Sequence, residues 1–368
     1  MNHFIVRRQP DNNRGYAVAP HNSLKTPVCD LFGIEYPIFA AGMGGVTMAP
    51  LAGAVSAAGG LGVLGATFCT AKELREEIRA LRRITDKPFG VDLLFPSDIP
   101  PDLGSREIPR LPDFLRDLLP RITGLKGAPP PPLTLELAKA QLQVCLEEKV
   151  PLLVSGLGTP SWLVKQCHGA GTKVASIVGN VRQAKRLEQA GVDLIVAQGL
   201  EAGGHVGTVT TLVLVPAVAD AVKTPVLAAG GIVDGRGIAA GLVLGAQGAW
   251  IGTRFIATKE ATAHDNHKKR IVEVDEEGTV VSRSYTGKPS RVLKNEFTDR
   301  WKGRDQHLLP MPWQRISVET LVAPAKANGL VDLANFPTGQ GSGAIRDIVP
   351  AGNLLERLVN ETRAALDR

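Results

Sequence analysis

Between Pro37 and Ile251, short apolar runs alternate with helix-length stretches, and this rhythm constrains the fold more than any other feature of the chain. The runs are Pro37–Ala41, Leu61–Leu64, Pro88–Leu94, Leu152–Val154, Lys173–Ile177, Asp193–Ala197, Pro225–Ala228 and Gly248–Ile251. Short apolar runs bounded by turn residues suit parallel strands buried on both faces. The stretches 48–58, 71–84, 134–147, 160–169, 181–190, 212–222 and 235–244 read as helices. In 71–84, for example, Leu74, Ile78 and Leu81 recur at helical spacing. Strands alternating with helices over about 220 residues mean a parallel sheet. Eight such units fit a closed (β/α)₈ TIM barrel better than an open Rossmann sheet with its early glycine fingerprint. The barrel is expected over residues 27–260, preceded by a polar N-terminal arm, 1–26.

Two segments break the rhythm. Residues 95–133, with the run Pro129–Pro132, form a loop insertion after strand three, with one helix expected around Asp113–Leu119. Long loops in compact domains are lids or binding loops, and a solvated loop is the alternative. Residues 261–368 read as a mainly helical C-terminal extension that packs beside the barrel and over its mouth.

Composition excludes several classes. No apolar run reaches the ~18 residues that span a bilayer, so no membrane segment is expected. Arg7-Arg8 is followed by polar residues, not by the apolar stretch of an export signal. Cys29, Cys69, Cys145 and Cys167 show no paired spacing and read as reduced thiols of a cytoplasmic protein. A net charge of +6 spread along the chain, with 5% aromatics, does not make a nucleic-acid surface.

In a (β/α)₈ barrel the chemistry sits where the strands end. Gly42-Met43-Gly44-Gly45 follows strand one, and its glycines let the backbone approach a flat ligand. Gly230-Gly231 follows strand seven, ahead of the helix opened by Asp234-Gly235, and Gly252-Thr253-Arg254 follows strand eight. Paired glycine loops beside a helix N-terminus form the usual phosphate cradle of this fold. After strand six comes Gln198-Gly199-Leu200-Glu201-Ala202-Gly203-Gly204-His205-Val206-Gly207. An imidazole among glycines can exchange a proton near neutral pH, or merely hydrogen-bond a ligand. No second histidine or cysteine lies at metal-ligand spacing, so no metal is expected. His264 and His267, beside Lys268 and Lys269, read as a charged helical face.

The segment Ile195–His205 closely resembles the signature of the nitronate monooxygenases, formerly called 2-nitropropane dioxygenases. Pro37–Gly45, Pro225–Gly237, Gly252–Phe255 and the tail segment Gly339–Pro350 also resemble that family. The resemblance implies an FMN-dependent barrel. Gly42 and Met43 would lie along the isoalloxazine, Gln198, Gly203 and Gly204 would flank it, and Gly230, Gly231 and Trp250-Ile251-Gly252-Thr253 would hold the phosphate and its surroundings. Asp92 stands where the family usually has Asn, Trp250 replaces a common Gln, and Ile177 stands where some members carry Lys. His205 would be the catalytic base that removes a proton from a neutral nitroalkane. The nitronate would reduce FMN, O₂ would reoxidise it, and a carbonyl compound and nitrite would leave.

The related FMN-dependent enoyl-ACP reductases share the Glu-Ala-Gly-Gly-His loop. Thr208–Leu212 follows His205 without a longer insertion, and Ala263–Asn266 also looks reductase-like. Those features imply NAD(P)H and an acyl thioester as partners, in place of a nitronate and O₂. A non-catalytic flavin-binding scaffold is the third reading. Both a monomer and a homodimer are open, because barrel flanks and tail helices can each make a dimer.

Overall fold

The computed structural model describes residues 24–95 and 109–367, so most of the expected arm and residues 96–108 of the expected insertion lie outside the described residues. The chain forms β1 (Ile38–Ala40), β2 (Leu61–Gly65), β3 (Phe89–Leu94), β4 (Leu152–Gly156), β5 (Lys173–Val178), β6 (Leu194–Gln198), β7 (Gly204–His205), β8 (Val226–Ala229), β9 (Gly248–Ile251), β10 (Thr279–Ser282) and β11 (Ser290–Leu293). A closed parallel barrel runs in the order β1-β2-β3-β4-β5-β6-β8-β9, with Phe39 of β1 opposite Trp250 of β9 at the closure. The eight apolar runs of the sequence are these eight strands.

Side chains alternate across the barrel wall, as a two-residue strand period requires. Phe39, Leu61, Val63, Leu152, Val154, Leu194, Val196, Leu227 and Trp250 fill the interior. Their neighbours Ile38, Val91, Leu153, Val174, Ile195, Ala228 and Ile251 face the helices. A short helix missed by the sequence pattern, Pro27–Phe32, plugs the end where the strands begin. It places Val28, Cys29 and Phe32 in the interior cluster, and Thr26 Oγ1 donates to the carbonyl of Gln247, just before β9.

The surrounding helices start where capping residues satisfy their first N–H groups. Thr70 and Glu73 form a reciprocal capping box for Ala71–Ile84, and Thr134, Asn180 and Asp234 cap the helices that follow them. Each such cap is worth about 1 kcal/mol. Helices follow the first seven barrel strands where the periodicity puts them. The eighth does not. The sequence reading confined all eight units to residues 37–260, but the helix that completes the ring is Ala351–Leu366, packed between Gly235–Val243 and Ala49–Ala57. It buries Leu354, Leu355, Leu358 and Val359.

Between β9 and that helix the chain makes an excursion of nearly a hundred residues and returns to its origin. Arg254, 3% exposed, is paired with Asp347 at 3.0 Å, and Thr258 bridges Val349. The excursion holds the helices Asp265–Glu273, Glu296–Arg300 and Trp313–Ala327, together with the hairpin β10–β11. The hairpin captures β7 into a three-stranded antiparallel sheet. The expected helix of the insertion after β3 is a 3₁₀ segment, Asp113–Ile122. Its Leu115 and Leu118 join Tyr285, Phe297, Trp301, Leu321 and Phe336 of the excursion in one hydrophobic cluster, separate from the barrel's. Insertion and excursion therefore form a single cap, with ion pairs from Arg121 to Glu296 and from Arg300 to Asp117 at its rim. Among the described residues no helix is long and apolar enough to cross a membrane. All four cysteines are buried and unbridged.

Candidate active site

A cavity of about 1080 Å³ lies between the strand ends and the cap. That is just above the roughly 300–1,000 Å³ usual for small-molecule sites. The barrel contributes Gly42 and Met43 after β1, Asp92 on β3, and Gln198 at the end of β6. The loop after β6 adds Gly203, Gly204 and His205. Gly230 and Gly231 after β8, Trp250 on β9 and Gly252-Thr253 after it complete the barrel side. The structure thus brings together every sequence-predicted site residue but one. The Ile251 side chain lies in the layer between strands and helices, because it alternates with Trp250, and only its backbone faces the strand-end region.

Close backbone approach explains two of the glycines. A Cβ on Gly42 would lie 2.3 Å from that of Asp92. A Cβ on Gly203 would lie 2.8 Å from the backbone nitrogen of Gly339. The second contact places the tail segment 339–343 against the loop after β6. Gly339 N–H donates to Thr253 Oγ1 at 2.8 Å, and Gln340 N–H donates to the Glu201 carbonyl at 2.8 Å. The tail motif is therefore the outer wall of the glycine loops.

His205 sits in β7, opposite Ser290 of β11, so the cap's hairpin holds the loop that carries it. Gln198 Nε2 donates to the His205 carbonyl at 2.7 Å. The ring Nε2 lies 3.0 Å from the Thr286 hydroxyl, which is itself bonded to the backbone of Lys288. Enclosure within the protein, and then the positive charges of Lys288 and Arg315, push the imidazole down to about 4. It is neutral at pH 7. Glu201, its neighbour in sequence, accepts from the Thr211 N–H at 2.9 Å and the Thr211 hydroxyl at 2.8 Å. That carboxylate fixes the turn into the helix Thr211–Ala221.

One expectation narrows and another is corrected. At the N-terminus of helix Gly235–Val243 the first N–H groups are already taken. Asp234 accepts from Gly237 N–H at 3.1 Å, and Glu361 accepts from Gly235 N–H at 2.9 Å. The chain's own carboxylates satisfy this end, and the candidate cradle narrows to Gly230-Gly231 and Gly252-Thr253. His267 is not on a charged face. It is 3% exposed, stacked on Phe336 at 4.3 Å and bonded to Thr338 Oγ1 at 3.0 Å. Burial, before the charges of Lys326 and His264, pushes it down to about 3. The cap covers the helix face that the neighbouring lysines made look exposed.

Sequence reasoning missed the cap's side of the cavity. Thr286, Lys288, Arg315 and Lys326 all line it. Arg315 pairs with Glu319 at 3.2 Å and lies over the Phe68 ring at 4.8 Å. Enclosure lowers the Lys326 ammonium from its ordinary range. These residues are scattered over forty positions with no periodicity, and only the fold collects them. Among the described residues no group of three or more His, Cys, Asp or Glu side chains could hold a metal.

The comparisons with known proteins agree with the geometry. A family model described as nitronate monooxygenase matches residues 25–361. A probable nitronate monooxygenase of Staphylococcus haemolyticus is 33% identical over 347 residues, covering 90% of this chain and 96% of its own. FabK from Thermotoga maritima aligns with a TM-score of 0.78 at 35% identity, covering 94% of this chain and 98% of its own. A nitroalkane oxidase from Streptomyces ansochromogenes aligns with a TM-score of 0.80 at 33% identity, covering 92% of this chain and 98% of its own.

Proposed function

Because the chain belongs to the nitronate monooxygenase family, we propose that it is an FMN-dependent oxidoreductase that oxidises alkyl nitronates with O₂ to carbonyl compounds and nitrite. The observation that carries this reading is His205: a neutral imidazole, enclosed with two cationic side chains, at the edge of a glycine-walled cavity. The cavity fits a flat cofactor. The Cβ positions of Gly42 and Gly203 are taken by Asp92 and by the backbone of Thr338 and Gly339, so bare backbone lines the cavity at both places, and the buried Asp92 Oδ1 has no partner among the described residues. Gly42 and Met43 would lie along the ring, and Gln198, Gly203 and Gly204 beside it. Gly230, Gly231, Trp250, Gly252, Thr253 and the backbone of Ile251 would hold the phosphate end. Bound FMN would supply the redox chemistry and the reaction with O₂.

The residues of the chain bind and orient the substrate. Arg315 and Lys288 make the cavity beside His205 positive, which favours an anion such as a nitronate. A base pushed down to about 4 is a poor acceptor for the proton of a weak carbon acid. The site therefore favours preformed nitronates, with His205 hydrogen-bonded to the anion and acting as base only on neutral nitroalkanes. Anaerobic mixing of the flavin-loaded protein with a nitronate should bleach the flavin, and air should then yield nitrite. No bleaching would overturn the reading.

Reduction of an acyl thioester by NAD(P)H has its own support. His205 passes through only a few residues into the helix Thr211–Ala221, and the cavity extends well beneath the cap. Rapid bleaching by NADPH or NADH, with none by nitronates, would select that reaction.

A further inference from the structure

Asp92 is a cavity group to which the proposed reaction gives no task. Asp92 lies on β3, two residues before its end, with its side chain lining the cavity, and it is 5% exposed. Its Oδ1 has no hydrogen-bond partner among the described residues. Gly42 passes so close that no side chain separates the two backbones, and Gly156 flanks the other side, where a Cβ would lie 3.5 Å from Oδ1. The described residues beside it on β2, β4 and the loop after β1 are Gly65, Val154, Gly156 and Gly42, none of them titratable. The strand ends across the barrel, including Ser176, Gln198, Ala229 and Trp250, carry no charge either. The ionisable groups of the cavity come from other elements. His205 belongs to the loop after β6, Arg186 to the helix after β5, and Lys288, Arg315, Glu319 and Lys326 to the cap, where His264, His267 and Tyr285 also lie.

A carboxylate in this place would be a buried charge with neither a counter-ion nor a hydrogen bond to Oδ1 among the described residues, an unfavourable state. Taking up a proton removes that charge and turns an acceptor-only group into a donor. Burial alone, with no charged neighbour contributing, pushes Asp92 well above the usual carboxylate range. Apolar sites elsewhere keep carboxylic acids neutral at pH 7 so that they can donate a hydrogen bond.

We propose that Asp92 is a neutral carboxylic acid in the working protein and donates its proton in a hydrogen bond to an acceptor atom of the bound flavin. It would thus take the part of an amide N–H. This rests on the FMN reading, and its consequence is specific to this chain: the flavin meets a neutral donor, not a negative charge, on β3.

The test has two readouts. Infrared spectra of the flavin-free protein at pH 7 should contain a carboxylic-acid carbonyl band that Asp92→Asn removes. Loss of a carboxylate band instead would overturn the proposal. FMN affinity, followed by quenching of flavin fluorescence, should change by less than about threefold in Asp92→Asn, since one neutral donor replaces another. It should weaken by about tenfold in Asp92→Ala, with a shift of the bound flavin's visible band. Tighter binding by Asp92→Asn would mean that a negative charge had been removed, and equal affinity in Asp92→Ala would mean that no bond is donated. Either result overturns the proposal alone. Failure of the wild-type protein to bind FMN would instead overturn the FMN reading and the donation together, while the acid band would still decide whether Asp92 holds a proton. Circular dichroism of each variant separates misfolding from loss of the bond.

Discussion

At the cavity the barrel presents Gly42, Asp92, Gln198, Gly203 and Gly230, while the cap presents Thr286, Lys288, Arg315 and Lys326. The barrel side is small, close-fitting and almost without charge. The cap side is flexible-chained and mostly cationic. A seat for a flat ligand needs backbone at close range, which rigid strand ends provide. A field that selects anions needs long charged side chains gathered on one side of the cavity, which a separate covering layer provides. His205 belongs to both: its loop leaves the barrel at β6, and its strand is completed by the cap's β11.

The largest expected effect tests that shared position. His205→Ala should lower turnover of neutral nitroalkanes by about 10²–10⁴, with a smaller loss on preformed nitronates. FMN should remain bound, because the ring of His205 is held by the cap and not by the glycine loops. Steady-state kinetics on both substrate forms, with the flavin spectrum as control, would show this. Loss of FMN as well would mean that His205 belongs to the barrel's seat, and the division drawn above would break.

Next comes the cap's own core. Phe297 is fully buried, stacked on Tyr285 at 4.5 Å. Phe297→Ala should cost about 3–5 kcal/mol of stability. Since its cluster is separate from the barrel's, denaturant unfolding followed by far-UV circular dichroism and by activity should part company, with activity lost first. Coincident transitions would show one cooperative unit.

Gly203→Ala tests the seam. Its new methyl would press on the backbone at Thr338 and Gly339, neither of which can swing aside as a side chain does. The cost should be about 1–3 kcal/mol, with weaker FMN retention on gel filtration. Unchanged retention would mean that the tail wall can move without disturbing the flavin.

The same contrast explains what the sequence could show. The barrel was legible because each unit repeats: apolar run, glycine turn, helix, with neighbours in sequence also neighbours in space. Every barrel strand and seven helices follow from that, and so do the glycine loops and His205, whereas the sheet of β7, β10 and β11 does not. The eighth helix, Ala351–Leu366, was not legible as part of the barrel, because the chain leaves between β9 and that helix to build most of the cap. The cap's core joins Leu115 to Phe297 and Phe336 across long stretches with no period. The same lack of pattern hid Arg315 and Lys326. His267 misled for a related reason. Its sequence neighbours are lysines, and only the cap's Phe336 and Thr338 make it a core residue.

The smallest effect is the most direct test of the field that the cap imposes on the barrel's loop. His205 is pushed down to about 4 by enclosure first and by Lys288 and Arg315 second. An unfolded histidine titrates near ~6.5. Folding therefore favours the neutral ring, and the sign follows: this contribution is intact above about pH 6.5 and is lost as pH falls towards the folded value. The rate on preformed nitronates should accordingly show no ionisation of the enzyme between pH 6 and pH 7. Arg315→Met keeps much of the stem that lies over Phe68 but removes one of the two charges, and pairing it with Glu319→Gln avoids leaving a lone carboxylate. The ionisation of His205, followed by NMR of the imidazole, should then move upward by less than about one unit, or about 1.4 kcal/mol. It should stay well below ~6.5 because enclosure remains. A return to the free-histidine value would make the cap's charge, and not its cover, the dominant influence on His205.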